Sequence, residues 1–220
     1  MIENKIPKFI DNFEAEVYLN GILPDITFDL RFMDIKIVNA IVAKLPLMIN
    51  TYKIFGLIYF GINRKDKYPV DFNYPILQST VAGMTRYNPI KRKQTILLNI
   101  KHHDNYDQVL KMNNYYQQIK HISGDNPDVL HTFYHEIGHT IIHTHLLNKN
   151  EKILDIFYKE INLSNKQQRV TVSTKGLDNV HEFIAECFAD VMISYKPKHR
   201  SFEVYKILQK EIGGKDDIPH

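Results

Sequence analysis

HTFYHEIGHTIIHTHLL, residues 131–147, is apolar enough for a buried helix, yet it carries histidines at 135, 139 and 143 and a glutamate at 136. Residues four apart on a helix lie on one face, so His135 and His139 converge on one point in space. Two neutral imidazoles held in this way make two of the three protein ligands of a catalytic zinc, and Glu136, one step around the helix, reaches the water in the fourth position. The spacing therefore has a mechanism behind it. Zinc lowers the pKa of its water to about 7, and the glutamate takes the proton as the water attacks a carbonyl carbon polarised by the metal. Gly138 leaves room on the face between the ligands. The competing reading of the same residues is a helix whose histidines hydrogen-bond locally and hold no metal.

A third ligand separates the two readings. HEFIAECFAD, residues 181–190, sets Glu182 and Glu186 four apart among Phe183, Ile184, Ala185 and Phe188, where free carboxylates are costly to bury. Zinc beside Glu182 would compensate the first, giving one Zn²⁺ per chain. A histidine N–H beside Glu186 would compensate the second and fix the orientation of a ligand ring.

Outward from these two motifs, strands precede position 100 and helices follow it, an α+β order. Residues 33–49 show the helical spacing of apolar positions, with Pro46 placed to end or kink the helix. Strands are expected at 54–62, 80–87 and 94–100, the last two joined through NPIKRK as a hairpin. Residues 101–124, polar and tyrosine-rich, are expected at the surface. Asn126 as cap, Pro127 and Asp128 predict a helix from there to Leu147. Further helices are expected near 150–161, from Asp178 to Ser194 and at 201–212, with a loop over 162–177. The expected organisation is one domain over 1–220, with a helix and strand lobe at 1–100 and a helical lobe carrying the zinc site at 125–212.

The composition agrees with a globular chain and narrows its partners. The 220 residues are 44% hydrophobic and 24% charged, the formal net charge is only +3, and the lysines are spread along the chain, so neither nucleic-acid binding nor a polybasic membrane anchor has support. Residues 1–30 hold no apolar core of a secretory signal, and the longest apolar run, 54–62, is too short to span a bilayer. A cytoplasmic protein, or one exported after loss of a leader, is expected. The single cysteine, Cys187, excludes an internal disulfide.

HEIGH at 135–139, followed by EFIAECF with Glu182 43 positions beyond His139, resembles the metalloprotease domain of anthrax lethal factor and the related Pro-Pro endopeptidases. These are gluzincins, whose zinc site is completed by a glutamate on a later helix. Their E-aromatic-aromatic-A-E-x-F pattern is met at Glu182, Phe183, Ala185, Glu186 and Phe188, with Ile184 at the second aromatic position. The resemblance implies a zincin-like fold, with a small N-terminal sheet before the active-site helix and the glutamate helix. It also implies a zinc metalloendopeptidase with His135, His139 and Glu182 on the metal, Glu136 as general base and Glu186 behind a ligand. The substrate would be a protein segment bound as an extended strand along 80–100. Where that family has a tyrosine that stabilises the oxyanion, this chain has Lys175, so the donor is sought among Lys175, Tyr87, Arg86 and His181. HEIGHTIIH with E-x-x-A-x-x-F-A at 182–189 is also similar to the ImmA/IrrE metallopeptidases, which act on repressor proteins and would use the same ligands. A reading from another class is a toxin-related or phage-related zincin-fold binding module with weak activity or none.

The remaining groups carry plainer expectations. His143 lies about 12 Å from His135 along the helix, too far to share its metal. His102, His103 and His131 are expected to be solvated, and Cys187 to be a packing residue. Tyr106, Tyr115, Tyr116 and Tyr134 are candidates to line a cleft.

Overall fold

Aspartate and asparagine set most of the helix starts. In the computed structural model, which describes residues 7–62, 80–167 and 172–213, the chain runs α1 (Asn12–Ile22), β1 (Thr27–Asp29), α2 (Ile35–Thr51), β2 (Leu57–Ile62), β3 (Gly83–Asn88), β4 (Lys93–Leu98), α3 (Tyr106–Gln118), α4 (His131–His145), α5 (Glu151–Gln167), α6 (Val180–Ile193) and α7 (His199–Ile212). The side chains of Asp11, Asp34, Asn105 and Asn179 accept backbone N–H groups at the starts of α1, α2, α3 and α6, satisfying donors that have no partner within the helix. The fold is α+β, with a small mixed sheet ordered β1-β2-β4-β3. β2 is parallel to β1 and β4, and β3 is antiparallel to β4 with Thr85 opposite Ile96. Among the described residues β3 is thus an edge strand, and no helix is long and apolar enough to cross a membrane.

Several boundaries differ from the sequence expectation for identifiable reasons. α2 continues through Pro46 to Thr51, because its Ile37, Ile41, Leu45 and Met48 face stays in the core on both sides of the proline. The polar stretch at 101–124 contains α3. It is a surface helix whose Val109 and Asn113 are buried, and its asparagines and glutamines hid it from a reading based on apolar spacing. α4 begins at His131 rather than after Asn126, since the Asp128 carboxylate accepts Leu130 N at 2.7 Å and closes a turn before the helix. It ends at His145, where Leu146 takes a left-handed conformation. α5 is longer than expected and runs through the first part of the expected loop to Gln167, and the cap of α6 is Asn179, not Asp178. Residues 63–79, between β2 and β3, lie outside the described residues.

Among the described residues a large apolar core joins the helices to β1, β2 and β4, and a small separate cluster sets Tyr59 and Leu97 against Val81 and Met84. Phe60 of β2 packs on Phe133 of α4, Phe188 of α6 on Tyr52 at the end of α2 and on Tyr205 of α7, and Phe183 on Phe157 of α5. α4 and α6 lie against each other at the centre of this core, which fixes the relative position of the two sequence motifs.

Candidate metal centre

The approach of α6 to α4 depends on a glycine. A Cβ at Gly138 would stand 2.9 Å from Ala185 Cα and 3.3 Å from Ala185 Cβ, closer than side chains pack. Gly138 therefore makes room for the neighbouring helix, not for the face between the ligands. The crossing brings Glu182, in the first turn of α6, over the paired histidines.

The Nε2 atoms of His135 and His139 are 3.1 Å apart, and Glu182 places Oε2 3.1 Å from the first and Oε1 3.3 Å from the second. A tetrahedral zinc with bonds of about 2.0–2.2 Å sets its ligand atoms roughly 3.3 Å apart, so these separations suit one shared ion. Glu182 Oε2 is shielded from solvent and takes no well-aligned hydrogen bond, a cost that a cation removes. His135, His139 and Glu182 form a group that could hold a metal ion.

Glu186 is fully buried one turn further along α6. Its Oε1 lies 2.9 Å from His135 Nδ1, although neither atom makes a well-aligned hydrogen bond. The far side of the carboxylate is gripped by Ser123, whose N–H donates to Oε2 at 2.6 Å and whose hydroxyl donates to the Glu186 carbonyl at 2.8 Å. His131 Nε2 stands 3.8 Å from the same Oε2. His131 is thus buried against the site, not solvated. His103 is also buried, its Nδ1 2.8 Å from Asn99 O; His102 is half-buried.

Glu136 is 3% exposed and points toward β3. Strand alternation turns Gly83, Thr85 and Tyr87 to one face, and each meets α4. Thr85 Oγ1 lies 2.8 Å from Glu136 Oε2 and 3.0 Å from its carbonyl oxygen. A Cβ at Gly83 would come within 3.0 Å of the Glu136 side chain. Tyr87 stacks on His143 with 4.7 Å between ring centroids and 12° between planes, and His181 tilts against the same imidazole at 5.5 Å. Tyr87 and His181 are therefore engaged with His143, and alternation turns Arg86 to the opposite face. Of the oxyanion candidates, Lys175 is the one at the ligand atoms, with Nζ 3.0 Å from His135 Nε2 and 3.5 Å from Glu182 Oε2. Its backbone is held too, since Lys175 N donates to His121 O and Thr174 N to Lys120 O.

The electrostatics follow from this crowding. Burial would raise the carboxyls of Glu182 and Glu186, but the neighbouring histidines and Lys175 outweigh it and hold both well below the usual carboxylate range. Burial and Lys175 push the His135 imidazole down, while Glu182 and Glu186 prevail and raise it to about 9. Burial likewise works against the Lys175 ammonium, yet Glu186, Glu182 and Glu136 together raise it above its ordinary value. His131 and His143, by contrast, are pushed down to about 4, chiefly by burial. Cys187 is buried in α6 and its thiol is raised by burial, as a packing residue should be.

Ser123, His131 and Thr85 escaped the sequence reading. His131 stands four residues before His135 and could have been found by extending the histidine spacing backwards; Ser123 and Thr85 carry no such signal. Compared with models of protein families and with curated proteins, the chain matches none.

Proposed function

We propose that this chain is a zinc-dependent metalloendopeptidase of the gluzincin type, with a zincin-like fold and one zinc held by His135, His139 and Glu182. The observation that carries the reading is the convergence of these three ligand atoms, beside two further buried carboxylates. Glu136 is 3% and Glu186 0% exposed. Lys175 brings one positive charge to three carboxylates, and a divalent cation supplies the balance.

Zinc in that group would supply a Lewis acid for a peptide carbonyl and an acidified water. Glu136, oriented by Thr85, takes the proton of the attacking water and returns it to the leaving amine. Lys175 donates to the carbonyl oxygen as it gains negative charge, the part a tyrosine plays in the resembling family. β3 offers an extended protein segment an edge beside Glu136. Glu186, held by Ser123, keeps the His135 ring in its ligating orientation.

Incubation of the zinc-loaded chain with a mixed peptide pool, read by mass spectrometry, tests this. Cleavage should appear and should fall by about 10²–10⁴-fold in Glu136→Gln, which keeps its zinc. Equal cleavage by Glu136→Gln would refute the assignment. One observation favours a second reading, that of a binding module without peptidase activity: the Lys175 ammonium, 3.0 Å from a ligand nitrogen, repels a cation there. On that reading the zinc-loaded chain binds peptides and cleaves none.

A further inference from the structure

Beside the three ligands lies a cavity of about 210 Å³, bounded by α3, the first turn of α4 and the chain entering β3, and reaching His135, Glu136 and Lys175. Its lining is mixed. Val81, Met112 and Ile122 supply apolar surface, while Asn113, Tyr116 and His121 bring polar groups. Tyr116 and His121 stand ring beside ring, 5.4 Å between centroids. His121 Nδ1 lies 3.3 Å from Thr174 Oγ1, which leaves Nε2 to a ligand. The formal charges of the lining, Lys175 and Glu136, have opposite signs. Each already faces the opposite sign, since Lys175 lies beside Glu182 and Glu136, which accepts from Thr85, is one of the carboxylates that favour the Lys175 ammonium.

A charged side chain entering this cavity would give up its hydration without meeting an uncommitted counter-charge. A purely apolar one would displace water from the half-buried Tyr116 phenol without replacing its hydrogen bond, while the exposed His121 imidazole offers a further polar partner at the rim. We infer that the cavity receives the substrate side chain next to the bond cleaved and selects an uncharged one with an apolar stem and a hydrogen-bonding end, of which glutamine is the type. This rests on the metallopeptidase reading, and it names the substrate class that reading leaves open.

The test separates the two. Capped hexapeptides Ala-Ala-Ala-X-Ala-Ala, with X as Gln, Leu, Glu or Lys, are titrated by NMR into zinc-loaded, full-length Glu136→Gln, so that binding is read without cleavage. The same peptides are incubated with the wild type. The Gln peptide should bind about fivefold more tightly than the Leu peptide, the worth of one net hydrogen bond, with Glu and Lys weakest. Adding Tyr116→Phe or His121→Ala should bring the Gln-to-Leu ratio toward one while zinc content stays unchanged. Tightest binding of Glu or Lys, an unchanged ratio in both variants, or no binding of any peptide overturns the proposal. If the wild type cleaves nothing while the Gln preference in binding persists, the peptidase reading fails and the pocket stands. If it cleaves all four equally with no preference in binding, the pocket fails alone.

Discussion

Lys175 is the residue at which this site departs most from the pattern it resembles, and its position allows opposite effects on metal and on catalysis. An ammonium 3.0 Å from His135 Nε2 opposes a cation in the ligand group and favours an oxyanion beside it. Lys175→Met is therefore expected to hold zinc more tightly while kcat falls about 10²–10³-fold, the usual loss on removing one oxyanion donor, with KM little changed. Lys175→Tyr should recover part of kcat. Equilibrium zinc competition and steady-state kinetics on the two variants check both effects, and an unchanged kcat in Lys175→Met would remove the lysine from the mechanism. The convergence of His135 and His139 was legible because a helix converts four-residue spacing into proximity, and Glu182 stood out as an acidic residue in an apolar run. Glu186 was legible because a carboxylate among phenylalanines must have a partner. Thr85 was not, since a threonine on a strand is ordinary until the strand is laid against Glu136, and only the fold does that.

At the scale of elements, two contacts hold the site in shape. The first is the α4 and α6 crossing at Gly138 and Ala185, 2.9 Å from a new Cβ. Gly138→Ala gains about 1 kcal/mol of helix propensity but overpacks the crossing at a cost of about 1–3 kcal/mol. A net loss of stability and weaker zinc binding, as Glu182 is levered from the histidines, is expected in urea titration and zinc competition. A stabilised variant with unchanged zinc affinity would contradict the crossing. The second contact is the chain at 120–123, which holds the backbone of Thr174 and Lys175, grips Glu186 through Ser123 and lines the cavity with His121 and Ile122. Ser123→Ala removes the hydroxyl bond to the Glu186 carbonyl and should weaken zinc about tenfold, the lower end for a partner behind a ligand. An unchanged zinc affinity in Ser123→Ala would release that segment from the site. The helices of the two motifs and the β3–β4 hairpin were readable from apolar period and turn residues. α3 was not, because only a narrow stripe of it is buried, and the course of α2 past Pro46 was not, because the core packing on both sides outweighs one missing hydrogen bond.

Across the whole molecule, buried histidines make stability depend on pH in a definite direction. His103, His131 and His143 have folded values lowered to about 4 from 6.5. The unfolded chain thus binds protons between these values that the fold refuses, and stability falls as pH drops through that window. Glu182 and Glu186, lowered from 4.5, add a further loss below that value. His135 acts oppositely. Raised to about 9 from 6.5, it contributes stability that is full below 6.5 and lost as pH rises through about 9. With chelator present, the urea midpoint should therefore peak near pH 6.5 and decline on both sides; a midpoint still rising toward pH 4 would contradict the assignment of these rings. The proposed site holds one zinc between three residues of two helices, and zinc per chain by elemental analysis, on protein purified without chelator or histidine tag, tests it most directly. Wild type and Glu136→Ala should each carry close to one zinc, and Glu182→Ala markedly less. Wild-type protein that holds no zinc even after reconstitution would contradict the account.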